Sequence, residues 1–133
     1  MEKFKNEFLE VVYEEQNNIC IADWTEVTED ANPKDFKDWN KALVKVTESC
    51  NSIRLLANTL NYKFLITTDL QKWSVSNIFQ PFAKAGIRKI AIIVPLDLFP
   101  NIALKQFSDE YEEGNIETIF FTDLEEARTW LIS

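Results

Sequence analysis

The residues with the most chemical capacity in this 133-residue chain are its carboxylates, its hydroxyls, two cysteines and four tryptophans, because it has no histidine. Without histidine there is no Ser-His-Asp or Cys-His nucleophile system, no imidazole base and no His-ligated zinc or haem. The carboxylate pairs Glu29-Asp30, Asp109-Glu110, Glu112-Glu113 and Glu125-Glu126 are adjacent in polar stretches. General acid/base work needs two carboxylates in one cleft with divided pKa values, so these pairs read as solvated surface. Asp109 and Glu113 share a helical face at i, i+4, but no second element supplies further metal ligands. Cys20 and Cys50 sit among apolar residues with no basic neighbour or helix N-terminus to lower a thiol pKa, and read as small buried hydrophobes. No metal or cofactor is expected.

The tryptophans divide by context. Trp39 and Trp130 lie on or beside apolar stripes and belong to a core. Trp24 and Trp73 lie near loops or helix starts among polar residues, and Tyr62-Lys63-Phe64-Leu65-Ile66 adds aromatics shortly before Trp73. Exposed aromatics of this kind mark recognition surfaces, so Trp73 with part of Tyr62 to Ile66 reads either as an interface or pocket wall or as side chains folded back into the core.

Composition narrows the partners. A net charge of −8 disfavours nucleic acid and anionic membrane surfaces, which need clustered Lys and Arg. The longest apolar stretches, such as Ile90 to Pro95, fall far short of the ~20 residues of a membrane span. Met1 to Glu10 carries Glu2, Glu7 and Glu10 and so lacks the apolar region of a signal peptide. Two cysteines are too few for a disulfide framework, and the expectation is a cytoplasmic protein with free thiols. Length and even composition indicate a single domain over 1–133.

The elements that must position these residues follow from periodicity. Phe8 to Glu14 and Ile19 to Val27 read as strands joined by a tight turn at Glu15-Gln16-Asn17-Asn18. After Asn32-Pro33, Phe36, Trp39, Leu43, Val46 and Cys50 form one apolar helical stripe. Ser52 to Thr59 reads as a short buried strand, followed by a long connection to Thr68. Asp69 to Ala85 is helical, with Pro81 predicting a kink or two pieces and Gly86 a C-terminal cap. Ile87 to Val94 is a strand. Phe99-Pro100 opens a helix with Leu104, Phe107 and Tyr111 on its inner face and Gly114 at its end. Ile116 to Phe121 is the last strand, and Thr122 with Glu125 is a capping box for a final helix that turns Leu124, Ala127 and Leu131 inward. The two glycines thus serve helix-to-strand turns, leaving none for a phosphate-binding loop.

The expected fold is α/β: a mixed, mostly parallel five-stranded sheet, with an N-terminal β-hairpin followed by α-β-α-β-α-β-α. Ligands of such sheets sit beyond the carboxyl ends of the strands, here Asp23-Trp24, Asn58-Thr59, Pro95 to Phe99 and Thr122-Asp123. Together with the aromatic connection, this gives Trp24, Asn58, Thr59, Tyr62, Phe64, Trp73 and Asp97 as the candidate binding surface.

The C-terminal Phe120-Phe121-Thr122-Asp123-Leu124-Glu125-Glu126-Ala127-Arg128-Thr129-Trp130-Leu131 and the stretch Ala85-Gly86-Ile87-Arg88-Lys89-Ile90-Ala91 resemble the STAS-like (SpoIIAA-like) domain family, in its subgroup of small stand-alone bacterial proteins. The resemblance implies a mixed sheet continued as a βα superhelix. In the anti-sigma-factor antagonists of that fold a serine after the central strand is phosphorylated. The matching stretch here is Asn58-Thr59-Leu60-Asn61, which lacks the Asp-Ser-Ser character and leaves Thr59 as the nearest hydroxyl.

Three functional readings follow. One is a non-enzymatic module that binds a protein partner or a small apolar ligand. Another is a small-molecule binder or enzyme that uses Asp23, Thr59 and Asp97 at the strand ends. The third is a homodimer formed through a thinly covered face of the strand Ile87 to Val94.

Overall fold

The structure is a computed structural model and describes residues 1–99 and 116–133. Its centre is one mixed sheet of six strands in sequential order. These are β1 (Glu2–Lys5), β2 (Leu9–Glu14), β3 (Ile19–Trp24), β4 (Arg54–Asn58), β5 (Lys89–Ile93) and β6 (Glu117–Phe121). The pairs β1–β2 and β2–β3 are antiparallel, and β3–β4, β4–β5 and β5–β6 are parallel.

The expected five strands become six because β1 adds an edge. Its sequence, Glu-Lys-Phe-Lys, is too charged to register as a strand, yet a solvated edge suits charged residues. Phe4 alone packs on the core, and the register shifts between Glu2 and Phe4.

The hairpin β2–β3 runs in register from Leu9↔Trp24 to Glu14↔Ile19. Its turn places Asn18 at φ 53°, a conformation asparagine tolerates. The Asn18 side chain accepts a hydrogen bond from Ile53 N at 3.0 Å, tying the turn to the start of β4.

Helix α1 (Pro33–Cys50) crosses from β3 to β4. Asn32 and Asp35 close a capping box, with Asp35 N donating to Asn32 Oδ1 at 2.8 Å and Asn32 N to Asp35 Oδ2 at 3.0 Å. The stripe Phe36, Trp39, Leu43 and Val46 is buried, and Cys50 is half-buried.

The next crossover breaks as Pro81 requires. Helix α2 (Thr68–Ser74) passes through a π turn, Val75–Phe79, into α3 (Gln80–Ala85). Pro81 has no N–H to continue the ladder, and the turn widens so that Gln80 N donates to Val75 O. Gly86 ends α3 at φ 105°, and Ile87 N reaches back to Phe82 O at 3.1 Å.

Helix α4 (Leu124–Ile132) lies on the opposite face, with Ala127 and Leu131 packed on Ile19, Leu56, Ala91 and Ile93. Its N-cap is Asp123, which makes no side-chain capping bond, so the expected Thr122–Glu125 box does not form. The far end is held instead: Arg54 Nε donates to Leu131 O at 2.6 Å and Lys89 Nζ to Trp130 O at 3.0 Å.

Along β5, Ile90 and Val94 are buried on the α1 side and Ala91 and Ile93 beneath α4, while Ile92 is half-buried. The helix expected after Phe99-Pro100, with Leu104, Phe107, Tyr111 and Gly114, lies outside the described residues, as do Asp109, Glu110, Glu112 and Glu113. No helix among the described residues is long and apolar enough to cross a membrane.

Candidate functional site

Alternation along the strands decides which side chains meet α1. On β3, Cys20, Ala22 and Trp24 face it; on β4, Leu55 and Ala57. The same alternation turns Asp23 and Asn58 to the α4 side, where they are register partners.

Trp24 therefore closes β3 pointing inward, and is only 8% exposed. This corrects the expectation of an exposed recognition residue. Its polar neighbours Asp23 and Thr25 occupy other faces, and period-two alternation from Ala22 would have placed it correctly.

The connection after β4 then folds back over α1. Tyr62 N donates to Thr59 O at 3.1 Å, and Lys63 N to the hydroxyl of fully buried Thr28 at 2.8 Å. Tyr62 stands edge-on at 84° to both Trp24 and Trp39, with centroids 5.8 and 6.1 Å away. Phe64 stacks on Phe36 at 5.3 Å. Trp73 leans on Phe36 at 6.0 Å, half-buried, with Lys37 Nζ 5.6 Å from its ring. Of the two readings of this aromatic stretch, the structure shows the fold-back: Tyr62, Phe64 and Trp73 form a layered cluster packed on the core.

Between this cluster and the sheet lies a cavity of about 310 Å³. Its walls include Trp24, Trp39 and Tyr62 on one side and Ile92, Val94 and Phe120 on the other. A second cavity, of about 240 Å³, shares Ile66, Ser74, Phe79, Ile92 and Phe120 with it. No Asp, Glu, Lys or Arg belongs to the lining of the larger cavity among the described residues.

Three of its polar side chains are spent on main-chain carbonyls. Thr59 Oγ1 donates to Ile93 O at 2.7 Å, Asn40 Nδ2 to Phe36 O at 3.0 Å and Ser74 Oγ to Leu70 O at 2.7 Å. Three others have no partner among the described residues: Trp24 Nε1, Trp39 Nε1 and Tyr62 OH, all buried. Burial pushes the Tyr62 hydroxyl far above its ordinary pKa, so it stays protonated and able to donate.

The remaining candidates disperse. Asn58 Oδ1 accepts from Leu60 N at 3.1 Å on the α4 side. Asp97 is exposed in the turn after β5. Asp23 is half-buried; desolvation raises its carboxyl pKa, against a lowering hydrogen bond from Asn58. Asp23, Thr59 and Asp97 therefore occupy one face, the other face and the rim, and do not converge. Cys20 is buried, and desolvation pushes its thiol up to about 11. Trp39, Ile92 and Phe120 are wall residues that sequence reasoning missed: Trp39 reads only as core, and the inward alternation of Phe120 was the available signal.

No protein-family model, curated protein or solved structure matches the chain.

Proposed function

We propose that this protein is a non-enzymatic binding module that holds a small apolar ligand between α1, the Thr59–Ile66 connection and the sheet. The carrying observation is the hollow of about 310 Å³ lined by Trp24, Tyr62, Ile92, Val94 and Phe120, with no Asp, Glu, Lys or Arg among its described lining residues. Interiors are normally close-packed. The dispersal of Asp23, Thr59 and Asp97 favours binding over catalysis.

The module is read as a STAS-like domain. The opening hairpin, the alternation of strands and helices and the sequential strand order support that reading. The free thiols Cys20 and Cys50 suit a reducing, cytoplasmic setting.

The test is direct binding of 2-acetylnaphthalene, a neutral two-ring molecule, by calorimetry to wild-type protein and to Ile92→Trp, which places an indole in the cavity. Wild type is expected to bind one equivalent, and the variant, folded by circular dichroism, to bind none. Equal binding by both proteins would place the ligand elsewhere and overturn the reading.

A further inference from the structure

Cys20 and Cys50 are far apart in the chain and close in the fold. Cys20 sits second in β3 and faces α1, and Cys50 is the last residue of α1, packed on the cluster that contains Cys20. Hydrogen bonds tie the two segments together beside them: Asn18 Nδ2 donates to Asn51 O at 3.4 Å and Ser52 Oγ to Asn18 O at 3.4 Å. Tyr13 is the register partner of Cys20 and lines the same surface hollow as Cys50. Its hydroxyl is raised first by desolvation and then by the charges of Cys50 and Cys20, so one side chain feels both sulfurs. The thiols also act on each other, since the Cys20 thiol is raised chiefly by burial and further by Cys50.

Their surroundings differ, and the difference assigns their roles. Cys20 is fully buried, out of reach of a solute. Cys50 is half-buried and opens on a hollow of about 360 Å³ walled by Met1, Lys3, Tyr13, Glu15 and Ser49. That is ample room for a small polar oxidant. Lys3, carried there by the edge strand β1, gives the wall a positive charge beside the negative one of Glu15, and its charge also acts on Cys20. Redox-active thiols are reachable from solvent, lie near a cation and are often paired with a second cysteine that resolves the oxidised one.

We infer that Cys50 and Cys20 form a peroxide-reactive pair, in which Cys50 is oxidised first and Cys20 resolves it as an intramolecular disulfide. The Cys50 thiolate attacks one peroxide oxygen and breaks the O–O bond; the other oxygen leaves as hydroxide, takes up a proton and becomes water. Cys50 is then a sulfenic acid. The Cys20 sulfur attacks the Cys50 sulfur, the S–S bond forms and the S–O bond breaks, and the departing hydroxide takes the Cys20 proton as a second water. Two thiols lose two electrons and two protons, and the peroxide is reduced to two waters. The bridge fastens the end of α1 to β3 and closes the chain between the two cysteines into a loop, which restricts the unfolded state and raises Tm.

The experiment treats the whole protein at pH 8 with excess hydrogen peroxide, for a time that oxidises glutathione in a parallel tube. Wild type is expected to lose both thiols to Ellman's reagent in denaturant and to fall in mass by two hydrogen atoms. A Cys20–Cys50 linked peptide should appear in a digest, and dithiothreitol should restore both thiols. Cys20→Ser, folded by circular dichroism, should hold Cys50 as a sulfenic acid that dimedone traps, and Cys50→Ser should keep Cys20 as a thiol. Oxygen added to Cys50 with Cys20 still free, a disulfide between two molecules, or both thiols retained would each overturn the pair. Oxidation of Cys20 in Cys50→Ser as fast as in wild type would overturn the assigned order. If a variant does not fold, the wild-type mass and linked peptide decide alone.

Discussion

Tyr62→Phe in the ligand-free protein is expected to raise stability. In the unfolded chain the hydroxyl is hydrated. Folding strips that water, and Tyr62 OH is buried with no partner among the described residues. A buried polar group in that position costs about 1–3 kcal/mol, and phenylalanine does not incur it. The ring itself keeps its edge-on contacts with Trp24 and Trp39. The net gain is therefore about 1–2 kcal/mol. For a chain of 133 residues, this corresponds to a rise in Tm of about 3–8 °C. Urea unfolding followed by circular dichroism should show a midpoint about 0.5–1 M higher at an unchanged m-value, since the surface exposed on unfolding is nearly the same. A loss of 1 kcal/mol or more would mean that the hydroxyl has a partner in the native state.

Two further outcomes follow from other parts of the structure. Iodoacetamide at pH 8, read by mass spectrometry, should alkylate half-buried Cys50 and spare Cys20, which is buried and whose thiol burial holds near 11; equal labelling would contradict that burial. Glu14 accepts hydrogen bonds from Asn17 at 2.8 Å and from Arg128 at 2.9 and 3.0 Å, and its pKa is lowered first by Asn17 and then by Arg128. A carboxyl lowered on folding contributes stability above its unfolded value, near 4.5, and loses it as pH falls through the folded value. The stability gap between wild type and Glu14→Gln should therefore be full at pH 6 and shrink below about pH 4; a gap that stays constant down to pH 3 would refute the assignment.

Much of the framework is legible in the sequence because its signals are local. The spacing of Phe36, Trp39, Leu43 and Val46 needs no tertiary information to imply α1, and Gly86 and Pro81 act through their own backbone chemistry. What escapes is what depends on neighbours. The strand β1 exists because β2 offers it an edge, and nothing in Glu-Lys-Phe-Lys announces that. The final helix starts without the side-chain cap that Thr-x-x-Glu suggests, its far end being fastened by Arg54 and Lys89 from distant strands. For the site, the sequence names Trp24, Thr59, Tyr62 and Phe64, but as a surface. Their inward turn depends on the connection after β4 folding back, which is fixed by Thr28, a residue with no sequence mark. The unpartnered donors are invisible in principle, since they are defined by what is missing around them.

The sequential strand order also has a kinetic consequence. Every strand pairs with the strand that precedes it, but the three parallel pairings, such as Ile19 with Arg54, each wait for a crossover to close. The hairpin β2–β3 can form first, as its pairing needs the closure of only a short turn. Each later strand then docks on an edge that already exists, after one intervening crossover. The search that remains belongs to α4, which must return across β4 and β5 to seat Ala127 and Leu131. The local hairpin pairing of β2 with β3 is therefore expected to gain protection in refolding no later than the parallel pairings of β4, β5 and β6.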